Sequence, residues 1–153
     1  MINASGNNRK NYLRVIKQGL KIKELTKPIK YKKINNIWSI YGEKNENNDQ
    51  EIVKMIALST DSETIVLTYT NNSFAQTKDT GIDNSTKSLF INRMDDGSLI
   101  QITENGFKHI IPGRVQKLNA FDGKIIKGVA KGMQMVLALL GGEIFYYEMD
   151  QTG

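Results

Sequence analysis

The sequence predicts an all-β fold, built either as a β-sandwich or as propeller-type sheets. About a dozen short segments rich in β-branched and aromatic residues follow one another, separated by turn signals that contain Gly, Asn or Asp. No segment shows a long apolar period of 3.6 residues with caps at both ends. The chain has 153 residues, of which 39% are apolar, and this is enough for one domain with a buried core.

The first third of the chain contains three predicted strands. Residues 12–16 and 20–25 flank residues 17–19, a Lys-Gln-Gly hairpin signal whose glycine can adopt a positive φ. Residues 34–40 form the third strand, and its single tryptophan is expected to be buried. Residues 42–50 contain no apolar side chain, so they predict a solvated loop.

The middle third predicts three more strands and a loop. The strands are rich in Ile, Val, Leu and Thr, and short polar turns separate them. The strands span residues 52–58, 64–69 and 73–78, and the loop spans residues 79–85.

The second half gives the clearest strand pattern. Asp95-Asp96-Gly97 and Asn105-Gly106 are strong hairpin signals, because Gly at these positions permits the positive φ of a tight turn. Gly128 and Gly132 are also interpreted as hairpin glycines. The predicted strands span residues 88–93, 99–103, 107–111, 124–130, 133–140 and 143–149.

Two of these strands indicate burial on both faces. Residues 135–140 are apolar at every position. Phe145 and Tyr147 occupy one face of the last strand, while Ile144 and Tyr146 occupy the other. Propeller blades, which stack face to face, create such an environment.

Positive charge is concentrated near the N-terminus. Residues 9–33 carry a net charge of +9, whereas the whole chain carries +5. Such a stretch is suited to contact RNA or an acidic protein surface, but it is also typical of a solvated, Lys-rich strand face, and the sequence leaves both readings open. The candidate contact residues are Arg9, Lys10, Arg14, Lys17, Lys21, Lys23, Lys27, Lys30, Lys32 and Lys33.

The composition excludes several kinds of chemistry. The chain has no cysteine, which excludes disulfides, a thiol nucleophile and metal sites built on Cys. His109 is the only histidine, and no motif supplies a nucleophile for it, so we interpret it as structural. Asp95 and Asp96 are interpreted as turn residues because they directly precede Gly97. We therefore predict no catalytic, cofactor-binding or metal-binding residues, and a protein that is not an enzyme.

No targeting segment is recognised. The N-terminus has no hydrophobic stretch of signal-peptide length, and the apolar run at 135–140 is too short to span a bilayer. We expect an intracellular protein without a membrane partner.

Six blocks of sequence carry a resemblance. They read LRVIKQGL at 13–20, NIW at 36–38, TIVL at 64–67, DTG at 79–81, LIQITENGFKHI at 99–110 and MVLALLGGEIFYYEMD at 135–150. In the same order and at similar spacing, they resemble the second β-propeller of the splicing factor 3b subunit 3 family, and the last block is the most specific. Residues 111–121 depart from the family pattern, since they lack its tryptophan.

The resemblance implies an architecture. Members of this family are much longer and carry three propellers. At roughly 40–45 residues per WD-like, four-stranded antiparallel blade, this chain corresponds to an incomplete propeller of about three blades. Residues 1–11 are expected to form a flexible N-terminal segment, and residues 12–153 a partial β-propeller within a much longer chain.

The resemblance also implies a role. It implies a nuclear, non-catalytic scaffold in the snRNP that recognises the pre-mRNA branch site. The implied partners are the HEAT-repeat subunit and the small subunits of splicing factor 3b, with RNA nearby, and neither a cofactor nor a small-molecule substrate. The alternative is a propeller adaptor of a cullin ubiquitin ligase, as in the damaged-DNA-binding relative; residues 141–150 favour splicing. Fold alone does not choose between them.

Overall fold

A computed structural model describes residues 2–7, 10–15, 28–31, 33–42, 53–71, 73–111, 113–114 and 118–149. Within them the chain forms only β-strands, which confirms the all-β prediction. The strands are β1 (Ile2–Asn7), β2 (Lys10–Val15), β3 (Asn36–Tyr41), β4 (Val53–Ser59), β5 (Thr64–Thr70), β6 (Ser73–Thr77), β7 (Ser88–Arg93), β8 (Leu99–Thr103), β9 (Gly106–Ile110), β10 (Leu118–Ala120), β11 (Ile125–Lys131), β12 (Gln134–Leu139) and β13 (Ile144–Glu148).

The strands form antiparallel meanders in which each strand pairs with the next one along the chain. We call β3–β6 the first sheet, β7–β10 the second sheet and β11–β13 the third sheet; β1 and β2 pair separately. Two of the three sheets have four strands, and the third has three in the described residues. Short turns suffice for such connections, since antiparallel neighbours need only a hairpin.

The three sheets stack through their first strands. β7 packs against β3 on one side and against β11 on the other. Successive four-stranded sheets with their first strands side by side are the arrangement of propeller blades around a central axis. The blade prediction is therefore confirmed.

Most predicted strands lie within one or two residues of the observed ones, and β7 and β8 match their predictions at both ends. The predicted strand at 20–25 lies outside the described residues, as does the predicted loop at 42–50 apart from Gly42.

The N-terminal strand β1 was not predicted from the sequence. It pairs with β2, and Ala4 lies opposite Leu13 in the register. The predicted hairpin partner of β2, residues 20–25, lies outside the described residues. The segment 2–7 has few apolar residues, so the sequence pattern does not mark it, but the hydrogen bonds of a ladder need only backbone groups.

Apolar side chains fill the interface between the first and second sheets. Ile40 and Val66 from the first sheet meet Ile91, Leu99 and Ile110 from the second in one buried cluster. Trp38, expected to be buried, is partly buried against the same cluster.

A second cluster fills the interface between the second and third sheets. Ile100 and Ile102 of β8 meet Met135, Leu137 and Leu139 of β12. The whole of β8 is buried, because it is a middle strand of the sheet that has a neighbouring sheet on each face.

Gly128 lies inside β11, not in a turn, so its interpretation as a hairpin glycine is wrong. An added Cβ at this position would lie 2.7 Å from Ile102 Cδ1 and 2.9 Å from Leu137 Cδ2. The glycine therefore lets the second and third sheets approach closely. Gly132 does lie in the β11–β12 turn, with φ +63°.

A buried polar network also joins the first two sheets. Gln101 Nε2 donates to Ser88 Oγ and to the Asp83 carbonyl, both at 2.9 Å, and Gln101 Oε1 accepts from the Asp83 N–H at 2.8 Å. Ser88 Oγ lies 2.7 Å from Thr64 Oγ1 of the first sheet. Each side chain in this network has partners, so its burial carries little desolvation penalty.

The outer face of the third sheet is exposed, contrary to the prediction that both faces of its last two strands are buried. Ile144 is 73% exposed and Tyr146 is 59% exposed, whereas Met135 and Leu137 on the inner face are buried. The physical reason is that no described element lies on the outer face. None of the described segments forms an apolar helix long enough to cross a membrane.

Candidate protein-interaction surfaces

The structure describes only part of the predicted basic stretch. Lys10 and Arg14 lie in β2, at register positions opposite Asn7 and Asn3. Lys30 and Lys33 are exposed in the segment before β3. The other candidates lie outside the described residues: Arg9, Lys17, Lys21, Lys23, Lys27 and Lys32.

Lys33 is paired within the chain. Its Nζ lies 2.7 Å from Asp61 Oδ2, and Asn35 Nδ2 donates to Asp61 Oδ1 at 2.8 Å. The hydrogen bond from Asn35, followed by that from Lys33, holds the pKa of the Asp61 carboxyl below its usual value. An exposed pair of this kind is weak, so it leaves Lys33 accessible to a partner.

His109 belongs to a turn-stabilising chain of hydrogen bonds. Its Nε2 lies 2.7 Å from Ser98 Oγ, and Ser98 Oγ donates to Asp96 Oδ1 at 2.6 Å. Because the hydroxyl hydrogen points to Asp96, Nε2 must donate to Ser98 Oγ. A general base accepts the proton of its nucleophile, which is the opposite arrangement. In this arrangement His109 supports the β7–β8 turn.

Asp96 acts as a turn residue, as predicted. Its Oδ1 also accepts from the Ser98 N–H at 2.9 Å, and Gly97 has φ +84° between β7 and β8. Burial raises the pKa of Asp96, but the hydrogen bonds from Ser98 and the charge of His109 outweigh it, so the pKa lies below its ordinary value. Among the described residues, no group of three or more His, Asp or Glu side chains is placed to hold a metal ion.

The third sheet presents an apolar outer surface, which we call the open face. Val129, Val136 and Tyr146 lie in one register row across β11, β12 and β13, and Lys127, Ala138 and Ile144 form the next row. Val129 is 51% exposed, and Ile144 and Tyr146 are exposed as well, whereas Val136 is half-buried. A contiguous apolar surface on a sheet marks a place where another element packs.

A pocket opens between the first and second sheets, at the ends of β3 and β7. Its volume is about 610 Å³. Sequence reasoning did not find this pocket, because its walls come from separate sheets and from the loop before β7. We call it the interblade pocket; it is lined by Ile40, Tyr41, Lys54, Met55, Asp79, Thr80, Gly81, Arg93, Gly97, Leu99, Ile110, Ile111, Gly113 and Arg114.

Residues 23–153 match the family model described as the RSE1/DDB1/CPSF1 second beta-propeller. The chain belongs to this family. It is similar to the pre-mRNA-splicing factor rse1 of Neurospora crassa, with 30% identity over 149 residues, which cover 97% of this chain and 12% of that protein.

Two other relatives show the same degree of similarity. The spliceosome-associated protein 130 A of Arabidopsis thaliana is 30% identical over 151 residues, covering 97% of this chain and 12% of that protein. The probable splicing factor 3B subunit 3 of Dictyostelium discoideum is 30% identical over 142 residues, covering 92% of this chain and 11% of that protein. This member of the second-propeller family thus spans about 12% of the length of the curated relatives that it matches.

The sequence blocks that carry the family resemblance have structural roles in this propeller segment. Gly81 of the DTG block has φ +78°, and an added Cβ would lie 2.7 Å from Ile110 Cγ2. Gly142 of the last block has φ +95° in the β12–β13 turn, where Leu139 N donates to the Glu143 carbonyl at 2.9 Å. Both glycines therefore occupy turns in which a side chain would be strained.

Proposed function

We propose that this chain is a non-catalytic scaffold segment of a nuclear splicing factor, within the snRNP that recognises the pre-mRNA branch site. The observation that carries the proposal is membership of the second-propeller family together with relatives named as splicing factors over nearly the whole chain. A propeller supplies broad, rigid surfaces, and such surfaces suit protein assembly.

The chemistry of the described residues supports a scaffold rather than a catalyst. His109 donates a hydrogen bond to Ser98, and the Ser98 hydroxyl donates to the Asp96 carboxylate. In this arrangement His109 does not accept the serine proton, as a general base would. The most extensive polar network, around Gln101, is buried between two sheets, where it joins them.

We further propose that this segment is part of a longer propeller chain whose next sheet packs on the open face. Tyr146 and Ile144 present large apolar side chains there, and burying one such side chain contributes about 1.5–3 kcal/mol. The inner face of the same sheet packs against the second sheet in this way.

The proposed partners are the HEAT-repeat subunit and the small subunits of splicing factor 3b. The basic stretch between Arg9 and Lys33 is proposed to face RNA or an acidic partner surface, since it holds more positive charge than the whole chain. Lys30 is exposed there, and Lys33 makes only a surface pair with Asp61.

The direct test is affinity purification of the protein, expressed from its complete coding sequence in its own cells, followed by mass spectrometry of the bound proteins. Recovery of branch-site snRNP subunits is the expected result. Recovery of a cullin and its substrate receptors instead would assign the propeller to ubiquitin ligation and overturn the splicing proposal.

The basic stretch needs its own test. Reversing Lys23, Lys27, Lys30 and Lys33 to glutamate is expected to reduce recovery of RNA or of splicing subunits in the same purification, because the net charge of residues 9–33 falls from +9 to +1. The control reverses Lys124, an exposed lysine that precedes β11. Unchanged recovery of both RNA and subunits would contradict this role.

A further inference from the structure

The interblade pocket combines an apolar floor with a charged rim. Ile40 and Met55 from the first sheet, with Leu99 and Ile110 from the second, form the floor. Ile40, Leu99 and Ile110 also belong to the buried cluster between the sheets, so the floor is continuous with a packed core. A floor of this kind holds its shape without a ligand, which lowers the entropic cost of binding.

The described residues of the rim carry more positive than negative charge. They include three cations, Lys54, Arg93 and Arg114, and one carboxylate, Asp79. Lys54 and Arg114 are exposed, on the first and second sheet sides respectively. A concave, partly apolar site bordered by one sign of charge attracts groups of the opposite charge.

One rim cation is held in place by contacts across the interface. Arg93 Nη1 donates to the Tyr41 carbonyl at 3.2 Å, so it links the end of β7 to the end of β3. A Cβ at Gly97 would lie 3.1 Å from Arg93 Nη2, so the guanidinium packs closely over the β7–β8 turn. This charge is therefore already positioned at the mouth before any ligand arrives.

We propose that the interblade pocket binds an extended segment of a partner protein in which an aliphatic side chain lies next to acidic residues. The aliphatic side chain would enter the floor between Met55 and Leu99, and the carboxylates would face Lys54 and Arg114. The volume of about 610 Å³ lies within the range of about 300–1,000 Å³ that is typical of ligand pockets.

The lining favours a peptide over a nucleic acid. Proteins that hold single-stranded RNA stack its bases on aromatic side chains. The described lining contains one aromatic residue, Tyr41, and the floor itself is aliphatic. Phosphate charges could satisfy the rim, but a base would gain no stacking on the floor.

The inference goes beyond the proposed function, because a partner in any assembly could supply such a segment. It also concerns residues outside the basic stretch: none of the pocket residues lies between Arg9 and Lys33. Failure of one proposal therefore leaves the other standing.

The test measures binding of short labelled peptides to the protein expressed from its complete coding sequence, by fluorescence anisotropy. The probe peptide has a central Leu flanked by Asp residues. Its matched controls replace the Asp residues by Asn, or the Leu by Ser, and a labelled oligouridine of similar length represents RNA.

The probe peptide is expected to bind saturably, and both control peptides are expected to bind more weakly. Combining Lys54→Glu with Arg114→Glu should weaken the probe by at least about tenfold, because two attractions become repulsions. Lys54→Gln with Arg114→Gln should give an intermediate loss. Lys124→Glu, a charge reversal outside the pocket, should bind like the unmodified protein.

Three results would overturn the proposal. The first is no saturable binding of the probe peptide. The second is binding that the double reversal leaves unchanged, since the peptide would then occupy another surface. The third is oligouridine binding that the double reversal abolishes while the peptide does not bind, which would assign the pocket to RNA. Both reversed side chains are exposed, so the variants are expected to fold, and circular dichroism checks this.

Discussion

At the scale of single residues, Gln101 is a polar side chain that links distant parts of the chain inside the core. It is fully buried and bonds to the backbone of Asp83, eighteen positions earlier in the chain. The sequence predicts a strand at 99–103 because turn signals lie on both sides of it, and these signals give its polar residues no role. Partners so distant in sequence are brought together only by the tertiary fold.

The network predicts the effect of removing this amide. Gln101→Leu leaves the N–H and the carbonyl of Asp83 without these bonds, while Ser88 Oγ keeps its partner Thr64, and each buried unsatisfied group costs about 1–3 kcal/mol. Hydrogen exchange at β7 and β8 in the full-length protein is therefore expected to become faster.

The matched control for this change is Gln76→Leu, since Gln76 is exposed in β6. We expect hydrogen exchange at β7 and β8 to remain as in the unmodified protein. Equal exchange in the two variants would show that the buried network does not stabilise the interface.

The β7–β8 turn predicts a pH dependence. Because the pKa of Asp96 is lower in the folded protein than its ordinary 3.8, the carboxylate stabilises the turn fully above that value and loses this contribution as the pH falls below it. Protection of the turn amides at residues 94–98, corrected for intrinsic exchange rates, should decline in this acidic range.

Asp96→Asn should remove that decline, because the amide oxygen still accepts from Ser98 but carries no titratable charge. Asp95→Asn is the control, since the Asp95 carboxylate has no hydrogen-bond partner in the described residues. A decline of the same size in Asp96→Asn would assign the pH dependence to other groups.

At the scale of strands and sheets, prediction succeeded where two signals coincided. β7, β8 and β9 contain Leu, Ile and Phe and are joined by Asp-Gly and Asn-Gly turns, and all three were located from the sequence. β10 was missed because Leu118–Ala120 is a short, exposed edge strand with no apolar pattern. An edge strand forms backbone hydrogen bonds with one neighbour only, and all three side chains of β10 are exposed. Its sequence therefore lacks the buried apolar residues that would identify it as a strand.

The contact between the second and third sheets predicts the effect of a small substitution. Gly128→Ala places a methyl group against Ile102 and Leu137 in the buried cluster, and overpacking of this kind costs about 1–3 kcal/mol. Hydrogen exchange at β11 and β12 should become faster in this variant.

Ile102→Val provides the decisive comparison, because it removes Cδ1, the atom closest to the new methyl group. The two substitutions together should be less destabilising than the sum of their separate effects. Additive effects would show that the sheets do not meet closely at Gly128.

At the scale of the whole molecule, the sequence and the structure describe different environments for the same residues. The apolar sequences of β12 and β13 predict burial on both faces, whereas in the described residues only the inner face of these strands is covered by another sheet. Both observations agree if the open face is covered in a longer propeller, as proposed above. The interblade pocket lay beyond prediction for a related reason, since Met55, Arg93 and Ile110 meet only when two sheets stack.

A charge on the open face tests whether another sheet covers it. Tyr146→Asp places a carboxylate on this face in β13, opposite Val136. If another sheet packs there, the charge is buried without a partner, and the resulting loss of several kcal/mol speeds hydrogen exchange at β12 and β13 by more than about tenfold in the full-length protein. Asn119→Asp, which adds a carboxylate to the exposed strand β10, should leave exchange at these strands unchanged. If Tyr146→Asp, like Asn119→Asp, leaves hydrogen exchange at β12 and β13 unchanged, the open face is exposed to water in the full-length protein. Its apolar side chains would then be available to bind a partner other than the next sheet.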